Sequence, residues 1–141
     1  MLSTISRLAK NGFNTRPMSE DDFLRICEHE HINVQFQDVA TSFYFCVLGR
    51  KFIVIPNHFT GLQRIFAMLH ELGHHFLHTM PVQALFYDKC ERKQEEEADA
   101  FAAIALYPYP ELIRKGFIDP DDDFERGIYR HRVMILNVYN F

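Results

Sequence analysis

The chain has 141 residues, 48% hydrophobic and 24% charged, and its 15 basic and 19 acidic side chains give a formal charge of −4. That length suits one compact domain with its own core and is too short for two ordinary ones. A mildly acidic chain without a Lys/Arg stripe offers little to a phosphate backbone, and its longest apolar run, residues 100–107, falls far short of the roughly 20 residues of a membrane helix, so direct nucleic-acid binding and membrane insertion are excluded as first readings.

Residues 1–17 scatter Arg7, Lys10 and Arg16 among polar side chains and lack the apolar core of a secretory signal. Residues 1–18 are expected to be flexible. Cys27, Cys46 and Cys90 show no pair spacing, which predicts free thiols in a reducing, cytoplasmic setting. Ser19 before Glu20, Asp21 and Asp22 marks a capped helix start, with Phe23, Ile26 and Cys27 as its apolar face and an end near His31. Ile32, Val34 and Phe36 alternate with polar residues, a period of two that predicts a half-buried strand. Residues 43–48 and 51–55, rich in aromatic and β-branched side chains, read as a hairpin turned at Gly49-Arg50 and closed by Pro56.

Thr60 with Gln63 predicts a capping box for a long helix running to about His78, ahead of Pro81. A second long helix is predicted over 88–106. A loop with Pro108, Pro110 and Gly116 follows, then the acidic Asp121, Asp122 and Asp123 and a short terminal helix over 124–138. Ile128, Ile135, Leu136 and Val138 on that helix are read as core residues, with docking of a partner as the alternative. No repeat or linker divides the chain, so a single domain over 1–141 is expected, α+β in class, with a small three-stranded sheet packed on two long helices and flanked by shorter ones.

Chemistry concentrates at His70-Glu71-Leu72-Gly73-His74. Two histidines four apart lie one turn apart on one helical face, within reach of a single ion, and Glu71 stands at the edge of that face, placed to address a water without being a ligand. A shuffled chain with 8 His would show His-Glu-x-x-His only about 0.03 times. The apolar residues Leu62, Ile65, Phe66, Leu69, Leu72 and Phe76 are expected on the face opposite His74. Gly73, costing about 1 kcal/mol of helix propensity, marks a close approach by another element.

A catalytic zinc needs a third protein ligand and an open position. On the second helix Glu91, Glu95 and Asp99 share a face, whereas Glu96 and Glu97 point elsewhere. Glu95 is the preferred ligand over Glu91, because Asp99 then stands behind the site to accept a ring N–H from a ligating histidine. Ala98, Ala102, Ala103 and Ala105 keep that helix slim enough for the two to meet. His78, about 12 Å along the axis from His70, is too far to join the same ion and is read as a supporting group or a cation at the helix end. His75 is expected to be packed or exposed, and Cys90 a lone thiol. Tyr107, Tyr109, His78 and His131 are unranked candidates for a second electrophile. Manganese or iron also suits two histidines and a glutamate.

This pattern resembles the gluzincin arrangement of thermolysin and, more specifically, the ImmA/IrrE family of small metallopeptidases. The resemblance is carried by Gly49, Phe52-Ile53-Val54-Ile55, the run from Arg64 to His78, and Glu95-Glu96-Glu97-Ala98-Asp99-Ala100-Phe101-Ala102-Ala103, spanning about residues 22–108. It departs at Leu106-Tyr107-Pro108, and the C-terminal segment 109–141 matches only loosely. The resemblance implies a zincin-like domain with one zinc held by His70, His74 and Glu95, Glu71 as the catalytic residue, and cleavage of a helix-turn-helix repressor of a mobile element or stress response. The competing expectations are a zinc-stabilised module that sequesters the repressor without cutting it, and a general peptidase.

Overall fold

The computed structural model describes residues 12–78 and 92–141. In chain order these residues form α1 (Glu20–His29), β1 (Ile32–Gln37), β2 (Phe43–Val47), β3 (Arg50–Pro56), α2 (Gly61–Leu77), α3 (Arg92–Leu106), α4 (Tyr109–Lys115) and α5 (Asp123–Tyr139). The class is α+β, consistent with a zincin-like domain. Residues 1–11 of the expected flexible stretch, the start of the second long helix at 88, and Glu91 and Cys90 lie outside the described residues. Residues 12–18 are anchored, with Phe13 buried against Phe76 and Phe101 and Met18 N–H bonded to the Ala105 carbonyl at 2.9 Å.

α1 starts in a reciprocal capping box, in which the Ser19 hydroxyl accepts from Asp22 N–H while the Asp22 carboxylate accepts from Ser19 N–H. The sheet order is β1-β3-β2, with β1 parallel and β2 antiparallel to β3. The chain therefore leaves β1, crosses to the far side and returns through a hairpin, which carries residues 38–42 past α2. The hairpin turn falls one residue earlier than the sequence predicts. Val47 pairs with Arg50, so Leu48 and Gly49 form the two-residue loop, both with positive φ (50° and 78°), as a type I′ turn requires.

Three further expectations are corrected. Thr60 is the N-cap of α2 but its side chain makes no capping bond; Gly61 takes φ +57°, which turns the first helical amides away from the Thr60 hydroxyl. The predicted loop after Pro108 contains α4, with Pro108 as N-cap and Gly116 as a left-handed C-cap; Pro110 sits in the first turn, where a missing N–H costs nothing. The terminal helix is not short: α5 has 17 residues, as many as α2, and is capped by Asp122. The core joins Ile53 and Ile55 of β3, Met68, Leu69 and Leu72 of α2, Phe101 and Ile104 of α3, and Ile128 and Ile135 of α5. Ile128 and Ile135 are thus core residues, while Val138 is exposed. Among the described residues no helix is long and apolar enough to cross a membrane.

Candidate metal centre

The centre sits on the seam between α2 and α3. Close approach there is set by size. A Cβ on Gly73 would stand 3.1 Å from Phe101 Cβ and 3.3 Å from Ala98 Cα, and Ala98, Ala100, Ala102, Ala103 and Ala105 are fully buried along α3. The approach predicted at Gly73 is therefore made by Ala98 and Phe101 of α3.

This proximity brings a triad of donor side chains together. His70 Nε2 lies 3.2 Å from His74 Nε2 and 2.9 Å from Glu95 Oε2, and His74 Nε2 lies 3.1 Å from Glu95 Oε1. Behind them His70 Nδ1 meets Asp99 Oδ1 at 2.7 Å, and His74 Nδ1 meets His78 Nδ1 at 3.0 Å. With its Nδ1–H donated to Asp99, neutral His70 has a bare lone pair at Nε2. A lone pair facing a carboxylate and a second imidazole at such distances is repulsive unless a proton or a metal ion stands between them.

Ligand atoms bound tetrahedrally at about 2.0 to 2.1 Å stand about 3.3 Å apart. The spacing and the N, N, O chemistry of the three groups fit a zinc ion. Donor atoms of His70, Glu71 and His74 also lie within 4.8 Å of one another, but Glu71 Oε1 is 3.9 Å from His70 Nε2, against 2.9 Å for Glu95. Glu95 therefore closes the triad and Glu71 stands to one side of it.

Electrostatics separate these groups. Burial pulls the His70 imidazole down, but the Asp99 hydrogen bond and the charges of Glu71, Asp99 and Glu95 outweigh it and hold His70 above its ordinary value. His74 is pushed down, by burial first and then by the neighbouring His70 charge. Burial raises the Glu71 carboxyl to about 7, against the lowering effects of His70 and of the Ser42 hydroxyl, which donates to Glu71 Oε1 at 3.1 Å. A buried carboxyl beside the donor groups is placed to take and return a proton.

The centre opens into a cleft of about 600 Å³ lined by Thr41, Ser42, Phe43 and Tyr44, by Phe59 and Phe66, and by Phe124 at the start of α5. A second cavity of about 590 Å³, between residues 12–18 and α1, holds no converging metal-binding donor set among the described residues. Phe66 is a correction to the predicted apolar face: four residues before His70, it shares that histidine's side of α2, and its ring stands edge-on to Phe124 at 5.9 Å.

The electrophile candidates scatter. The Tyr107 hydroxyl donates to Glu125 in the interior, Tyr109 is exposed at the start of α4, His78 lies behind His74, and His131 lines a separate recess beside Asp99 and Phe124. His75 is packed, its Nδ1 3.0 Å from the Tyr44 hydroxyl.

Sequence reasoning missed Ser42 and Tyr44. Their signal was the period of two, since residues 42 and 44 share a face at the head of β2, but only the strand order reveals that this face looks onto Glu71. Compared with known proteins, the chain matches a peptidase family described as the IrrE N-terminal-like domain over residues 27–137. No curated protein and no solved structure matches it.

Proposed function

This chain belongs to the IrrE N-terminal-like peptidase family, and from that premise we propose that it is a zinc-dependent metallopeptidase. His70, His74 and Glu95 hold the ion, Asp99 orients His70, and Glu71 is the catalytic base. The observation that carries this reading is the donor triad of Nε2, Nε2 and carboxylate oxygens, separated by 2.9 to 3.2 Å, with a buried carboxyl beside it at the head of an open cleft.

Bound zinc supplies Lewis acidity toward a water and a peptide carbonyl. Glu71 takes the proton of the attacking water on its carboxylate and delivers it to the departing amine. Ser42 fixes one Glu71 oxygen, so the carboxyl faces the cleft in one orientation. Phe43, Phe59, Phe66 and Phe124 shield the reacting groups from bulk water and leave room for an extended peptide. The substrate we assign is a partner protein, a helix-turn-helix repressor of a mobile element or stress response, cut in the cytoplasm so that DNA contact is indirect. That assignment rests on the resemblance of the sequence motifs to ImmA/IrrE proteins.

Metal analysis of the purified protein should give one zinc per chain. Glu95→Ala should lose it, and full occupancy in that variant would refute the third ligand. Glu71→Gln should keep zinc and fail to cleave the repressor. Inactivation of the repressor by Glu71→Gln at the wild-type rate would show sequestration without hydrolysis, and ready digestion of casein by the wild type would show a general peptidase.

A further inference from the structure

His78 caps the C-terminus of α2, its backbone N–H bonding to the His74 carbonyl at 3.0 Å. The same step folds its ring over the preceding turn, with Nδ1 3.0 Å from His74 Nδ1 and the two rings 5.2 Å apart. His78 therefore lies on the side of His74 turned away from the donor triad. Its side chain is as buried as that of His74, 7% exposed against 6%.

A hydrogen bond between two ring nitrogens needs one N–H and one lone pair, so only two proton placements are open. Were His78 the donor, neutral His74 would carry its own proton on Nε2, the atom facing His70 Nε2 and Glu95 Oε1. The triad would then lose one of its three donors. With His74 as the donor, its Nε2 is bare and aimed at the centre. The proton of neutral His78 then resides on Nε2, on the side of the buried Glu97, whose Oε1 stands 3.7 Å away.

We propose that His78 is a positioning residue whose Nδ1 accepts the His74 proton and thereby fixes the tautomer in which His74 presents Nε2 to the metal. The inference rests on the metal-centre reading above. The two ligating histidines are thus set by different devices. His70 leans on a carboxylate from α3, and His74 leans on a neutral imidazole at the C-cap of its own helix. An outer partner of this kind is worth about 10- to 100-fold in metal affinity.

The experiment measures zinc affinity by chelator competition in the full chain for wild type, His78→Phe and His78→Asn, with circular dichroism of the metal-free proteins as the folding control. Phenylalanine keeps the ring and removes the acceptor, whereas the Asn side-chain oxygen can occupy the Nδ1 position. His78→Phe should bind zinc about 10- to 100-fold more weakly, and His78→Asn should return to within about threefold of wild type. Equal affinity in a folded His78→Phe overturns the proposal while leaving the metal centre standing. Failure of the wild type itself to bind zinc overturns both.

Long-range proton–nitrogen NMR of the zinc-loaded wild type needs no variant to fold. It should show His74 protonated at Nδ1 and His78 protonated at Nε2. A proton on Nδ1 of His78 refutes the assignment outright.

Discussion

Helix α3 meets its two helical neighbours with different devices added to a shared core. Toward α2 it is held by size: the hydrogen of Gly73 admits Phe101 and Ala98, and the alanines keep the seam narrow. Across this narrow seam Glu95 and Asp99 reach His70. Toward α5, Phe101 and Ile104 share the core with Ile128 and Ile135, and a polar network beside them ties α5 to Tyr107, just past the end of α3. The guanidinium of Arg132, fully buried, donates to the Tyr107 carbonyl, to Asn14 Oδ1 at 3.2 Å and to the Phe141 carbonyl at 2.9 Å. Asn14 closes the network by donating to Phe141 O and accepting from Tyr109 N–H. Packing on the first seam sets how closely the converging donors meet, whereas the second adds a network of buried polar groups in which Arg132 Nη1 has no hydrogen-bond partner among the described residues.

Breaking the polar seam should give the larger loss of stability. Burial lowers the Arg132 guanidinium to about 10. Arg132→Met should cost about 3 kcal/mol, because the Tyr107 carbonyl is left buried and several charge-assisted bonds vanish together. Denaturant unfolding measures this. Zinc affinity should stay unchanged, since none of these groups touches the donor triad; a parallel fall in affinity would show that the two seams are coupled.

Breaking the size-limited seam should cost less stability and more function. Gly73→Val gains some helix propensity but drives branched carbons into Phe101 and the Ala98 backbone, for a net loss of about 2 kcal/mol. As α3 moves away it takes Glu95 with it, so zinc affinity should fall in the same variant. Chelator competition beside thermal unfolding checks the pair of effects. A Gly73→Val protein with wild-type zinc affinity would mean that the seam tolerates expansion and that close packing does not position the donors.

The contrast also explains what was legible in the sequence. The α2–α3 seam carries its geometry in local spacing: His70 and His74 four apart, Glu95 and Asp99 four apart, and a glycine where a side chain would collide. The Arg132 network is silent in the sequence because Asn14 and Arg132 stand 118 positions apart and no periodicity links them. Helix α4 was hidden by Pro108 and Pro110, which read as breakers unless their place at a helix start is known. The Leu48 turn was hidden because strand register, and not residue preference, forces that leucine into positive φ. Phe66 was expected on the face opposite His74, but its position four before His70 also lets it line the cleft while it packs against the core.

The smallest effect lies on α1, which is pinned by both devices at once, with Phe23 and Cys27 packed inward and Asp22 bonded outward. Arg16, then the Ser19 backbone and hydroxyl and Arg25, hold the Asp22 carboxyl well below its ordinary value. A carboxyl lowered in the folded state contributes stability that is present above its unfolded value of about 3.9 and is lost as pH falls through the folded one. Acidification from pH 5 to below 3 should therefore weaken the wild type at this site, while Asp22→Asn should show a shallower dependence over that window and lose about 1 kcal/mol at neutral pH, the worth of a capping box. Both arginines are largely exposed, so salt should reduce the ion-pair share and leave the capping share intact. Identical acid profiles for the two proteins would mean that the N-terminus of α1 is held by apolar packing alone.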